Sequence, residues 1–64
     1  MNEEIMSMAQ RAHDEGNIAH LKNIRDSLDY LYERVPETEV FRLLREVDDL
    51  LGALRRARVE ARQG

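Results

Sequence analysis

Two apolar runs in this chain keep the same spacing and mirror each other across a proline, which limits its fold more than any other feature. Val40, Leu44, Val47, Leu51 and Leu54 recur at steps of 4, 3, 4 and 3, and Leu21, Ile24, Leu28, Leu31 and Val35 at steps of 3, 4, 3 and 4. Such steps put side chains on one face of an α-helix as a heptad seam. If the chain reverses at Pro36, residues at one level share a constant index sum. Val35/Val40, Leu31/Leu44, Leu28/Val47, Ile24/Leu51 and Leu21/Leu54 all sum to 75. Five layers in one register predict an antiparallel helical hairpin.

The helices are expected at about residues 18–34 and 37–62. Pro36 suits a first helical turn, where its missing N–H would be unpaired anyway. Val35, as the residue before a proline, is pushed out of the α region and ends the middle helix. Leu43, Leu50 and Ala57 run beside the second seam and widen it to a bundle-type stripe. A shorter helix is expected at about 2–14, with Ile5, Met8, Ala9 and Ala12 on one face. Asp14-Glu15-Gly16-Asn17 breaks its phase. Gly16 can close a helix in the left-handed conformation and Asn17 can cap the next. The first helix then either folds back as a third helix or continues the middle one with a kink, and Gly16 and Asn17 favour the break.

The fold class is therefore all-α, with one small helical domain over 1–64. With 64 residues and no cysteine, the chain has a thin core and no disulfide to reinforce it. A domain near this size buries only about 60% of its unfolded surface. Met6, Ile18, Tyr32, Phe41, Leu43 and Leu50 lie beside the seams and need a cover. A homo-oligomer, dimer or higher, supplies one by pairing hairpins into a bundle, so these six are the candidate interface. The alternative is a compact monomeric three-helix bundle.

The net charge of −3 conceals a gradient: residues 1–16 carry −3, 17–36 carry 0, 37–52 carry −3 and 53–64 carry +3. An acidic body disfavours non-specific coating of nucleic acid. No run approaches the roughly 20 apolar residues of a membrane span. The opening MNEEIMSMAQ is acidic, unlike a signal peptide, so a cytoplasmic protein without membrane contact is expected.

Chemistry is sparse. Ser7 and Ser27 lack a glycine-rich turn, and no phosphate loop or metalloprotease pattern occurs. His13 and His20 are seven residues apart, about 10.5 Å along one continuous helix, too far to share a metal directly. Asp48 and Asp49 diverge by about 100° and read as a solvated acidic face. Neither an enzyme, a metal nor a cofactor is expected. Arg55, Arg58 and Arg62 fall on one stripe, and arginine forks grip phosphate or carboxylate bidentately, so they form a candidate anion seat. The competing role for them is pairing with Asp14 and Glu15 at the same end. Tyr30 and Tyr32 carry faces on which a base could stack. Gly52 interrupts the long helix away from its seam.

In size and hairpin form the chain resembles small RNA-binding repressor-of-primer hairpins, which dimerise into four-helix bundles. The segment Leu44-Arg45-Glu46-Val47-Asp48-Asp49-Leu50-Leu51, following Ile24-Arg25 and a proline-containing turn, is similar in pattern to phage hairpin proteins that sequester cyclic nucleotides. Gly52-Ala53 stands where those would carry an aromatic-rich centre.

The residues together point to a non-enzymatic helical regulator, adaptor or inhibitor of bacterial or phage type. It would act as a homo-oligomer by binding another macromolecule, a protein first of all. The alternative is a binder of a phosphorylated ligand, a nucleotide or structured RNA, through the arginine stripe.

Overall fold

A computed structural model describes residues 2–63, with side chains to residue 62. It has three helices, α1 (Asn2–Asp14), α2 (Ile18–Arg34) and α3 (Thr38–Gln63), and no strand among the described residues. None of the helices is long and apolar enough to cross a membrane. α1 folds back and packs against both members of the hairpin. The break at Gly16 is therefore a reversal and not a kink.

That reversal follows from local hydrogen bonding. Gly16 has φ +68°, its N–H donates to the His13 carbonyl at 3.0 Å, and the Asn17 N–H reaches back to Ala12 at 2.8 Å. This pair of bonds is a Schellman cap, which consumes the carbonyls left over at a helix end. The Asn17 side chain then accepts from the His20 N–H at 3.0 Å and caps α2. Gly16→Ala should lower stability by about 1–2 kcal/mol, since a Cβ at positive φ crowds the following carbonyl. No neighbour lies within 4 Å of that Cβ, so the whole loss would be conformational. A melting curve that Gly16→Ala leaves unchanged would contradict it.

The second reversal differs in detail from expectation. Pro36 lies ahead of α3 and not in its first turn. Val35 sits at φ −130°, ψ 82°, outside the α region as its proline neighbour demands. The Glu37 N–H donates to the Val35 carbonyl at 2.7 Å, a three-residue turn around Pro36, and the Glu37 carbonyl accepts the first α3 bond, from Phe41, at 3.1 Å. Reversing the chain uses Pro36, so α3 starts later.

Leu21, Leu28, Val47 and Leu51 are buried as the shared register requires. Toward the turn the seam opens, and Leu31 and Val35 are each 38% exposed. Position 43 is buried where position 44 is only half-buried, because α1 lies on the Leu43 side of α3. Ala9 and Ala12, with no side chain beyond Cβ, are fully enclosed and let α1 lie close to the hairpin.

α1 is pinned to α3 at both ends. The Asn2 side-chain amide donates to the Glu39 carboxylate at 3.3 Å, and Arg58 Nη2 donates to the Gly16 carbonyl at 3.3 Å. α3 runs on past that level, and residues 59–62 are all exposed. At 1.5 Å per residue its 26 residues give a rod about 39 Å long. That rod sets the 42 Å long axis of the molecule.

Candidate functional site

The six candidate interface residues divide in two. Met6 meets Leu43 at one point between α1 and α3 and Leu50 at another, so α1 supplies their cover within the chain. Leu43 is accordingly buried and offers nothing to a partner. On the other side of the hairpin, Tyr32 packs on Phe41 with ring centroids 5.6 Å apart. Phe41 remains 41% exposed there, and Ile18 is half-buried. The need for a cover was legible from the sequence, and α1 meets half of it.

Arg55, Arg58 and Arg62 are all exposed along one stripe of α3. Arg58 is engaged with the Gly16 carbonyl. Among the described residues no ion pair joins the three to Asp14 or Glu15. The index sum of 75 puts position 58 opposite 17, next to Gly16, in agreement with this contact. His13 approaches Asp14 at 3.5 Å, while His20 lies on another helix. No group of three or more His, Asp or Glu among the described residues is placed to hold a metal. Arg34 lies over the Tyr30 ring at 4.6 Å, so one face of the exposed tyrosine is already occupied. Tyr32 is taken up in packing.

Charged groups cluster in one place across the hairpin. Arg25 donates to Asp26 at 3.0 and 3.2 Å and approaches Asp48 at 3.6 Å. Hydrogen bonding to Asp26 raises the Arg25 pKa above its already high ordinary value, with Asp48 adding to it. The group is a fixed cation bridging α2 to α3, and exposed pairs of this kind contribute little to stability.

The feature with the most binding character lies between α1 and α2. A hollow of about 360 Å³ is floored by Ile5, Met8, Ile24, Leu28 and Leu31 and rimmed by His20, Asn23 and Ser27. Met8 is half exposed in it. The hollow runs alongside α1, between its Ile5 and Met8 and the face of α2 from His20 to Leu31. Sequence reasoning placed Ile24, Leu28 and Leu31 in the core and Ile5 and Met8 on the packing face of α1. It missed that these meet in an open groove. Periodicity carries no signal for it, because the groove depends on how segments distant along the chain pack.

The groove is what one helix of a bundle would leave by its absence: two antiparallel helices, an apolar floor and a rim without acidic, lysine or arginine side chains. No family model, no curated protein and no solved structure matches this chain.

Proposed function

We propose that the protein is a non-enzymatic cytoplasmic adaptor or regulator that binds an amphipathic helix of a partner protein in the groove between α1 and α2. The observation that carries this reading is the exposure of Met8 and Leu31 over an apolar floor. Grooves between helices take apolar side chains spaced i, i+3/i+4 and i+7 on a partner helix. The rim of His20, Asn23 and Ser27 selects by shape and hydrogen bonding instead of by charge.

The test is a selection of displayed helical peptides on the wild-type chain, followed by amide-shift mapping of the peptides recovered. Leucine-type residues at helical spacing are expected, with shifts centred on Met8, Ile24 and Leu31. Met8→Glu should weaken binding by at least about tenfold, the 1.4 kcal/mol of one lost apolar anchor, with the helical spectrum unchanged. Peptides that bind Met8→Glu equally well would remove the groove from the function. Nucleotides and short RNA belong in the same titration. Shifts at Arg55, Arg58 and Arg62 with any of them would move the function to the anion-binding reading.

A further inference from the structure

We infer that the outer face of α3 is a self-association surface on which two copies of the chain pack antiparallel across a two-fold axis beside Gly52. The inference is independent of the groove, whose lining comes from α1 and α2 and not from α3.

A second heptad line runs along α3 outside the core. Phe41, Asp48, Gly52, Arg55, Val59 and Arg62 follow steps of 7, 4, 3, 4 and 3, with Arg45 falling between the first two. α1 does not reach this line, because its neighbours on α3 are Glu39, Arg42, Leu43, Glu46, Asp49 and Leu50. Phe41 and Val59 are 41% and 51% exposed on it. Gly52 sits near its middle, and a Cβ built there would meet only the far end of Arg56, at 3.4 Å. The backbone of another helix can therefore approach.

Charge selects both the occupant and its direction. Within α3 and the turn before it the first half is acidic and the second basic, with −3 over residues 37–52 and +3 over 53–64. A second copy laid in parallel register would set Asp48 on Asp48 and Arg55 on Arg55. Reversed about an axis beside Gly52, the two copies set Asp48 against Arg55 of the other copy, twice by symmetry. The same register brings Arg62 over the exposed ring of Phe41, a cation–π arrangement, and lays the aliphatic stem of Arg45 along Val59. A two-fold contact of this kind is closed and self-complementary, so it ends at a dimer. It gives a role to Arg55 and Arg62, to the exposed Phe41 and Val59, and to the length of α3 beyond its own bundle.

The experiment combines sedimentation with a cysteine beside the axis. The wild-type chain should dimerise, and Gly52→Cys should oxidise to a covalent dimer while Ser7→Cys, on exposed α1, stays a single chain. Arg55→Glu and Asp48→Lys should each raise the dimer dissociation constant by at least about tenfold, as two like-charge contacts replace two ion pairs. Mixing these two variants should restore association. Only in the heterodimer does the introduced lysine face the introduced glutamate, while Arg55 of one chain still faces Asp48 of the other. Both side chains are exposed, but Asp48 also faces Arg25 of its own chain at 3.6 Å, so circular dichroism and a thermal melt confirm that each variant is folded before mixing. A wild-type chain that sediments as a monomer at several hundred micromolar would overturn the inference. So would failure of Gly52→Cys to cross-link, or two variants that do not recover on mixing.

Discussion

Leu28→Ala should cost about 2–5 kcal/mol, the usual range for a buried leucine that leaves a cavity. At roughly 0.05–0.15 kcal/mol per residue, 64 residues hold only about 3–10 kcal/mol in all. The variant should therefore melt far below the wild type or be partly unfolded at room temperature. Leu28 and Val47 are both buried in one cluster and share a layer of the hairpin register. Val47→Ala should then couple to it by about 0.5–3 kcal/mol in a double-mutant cycle, since neighbours around one cavity do not add. Urea titrations of the four proteins measure this. Strict additivity would mean that the two side chains do not share a layer. Leu31→Ala serves as the contrast: it belongs to the same seam but is 38% exposed, and it should cost less than Leu28→Ala.

Ala9→Glu should detach α1. Ala9 is completely enclosed between α1 and the hairpin, and a carboxylate there has neither water nor any cation among its core neighbours, which are all apolar. Burying an unpaired charge costs several kcal/mol, so the helix should leave before the charge is buried. Departure of α1 would uncover Leu43 and Leu50, and the segment around residues 14–17 should become open to proteases. Gln10→Glu, one position along and exposed, should change stability by no more than about 0.5 kcal/mol. Limited proteolysis with a thermal melt separates the two variants. An Ala9→Glu chain that is as stable and as resistant as the wild type would show that α1 does not contribute to the core.

These two substitutions also separate what was legible in the residues from what was not. The positions of the helices follow from short-range rules. Apolar side chains at steps of 3 and 4 must share a face, Gly16 can take a positive φ that others resist, and Val35 cannot stay helical before Pro36. Each rule acts within a few residues, so the α2–α3 register and the cap at Gly16 are recoverable from the chain alone. The reversal of charge along α3 is likewise a property of the residue order.

The side of the hairpin that α1 takes is a different kind of quantity. Two apolar sets flank the α3 seam: Leu43 and Leu50 on one side, Phe41 with Tyr32 and Ile18 on the other. By spacing alone each could receive the first helix. Packing decides between them, through the fit of the small Ala9 and Ala12 against the hairpin and of Met6 between Leu43 and Leu50. That choice buries Leu43, half-buries Leu44, and leaves Phe41 exposed. It also leaves the groove open between Ile5 and Met8 of α1 and Ile24 and Leu31 of α2. Local backbone sterics and periodicity are enough to specify the hairpin, its register and its caps. Which apolar residues become core and which stay at the surface depends on contacts between segments distant along the chain, and so on how the three helices pack.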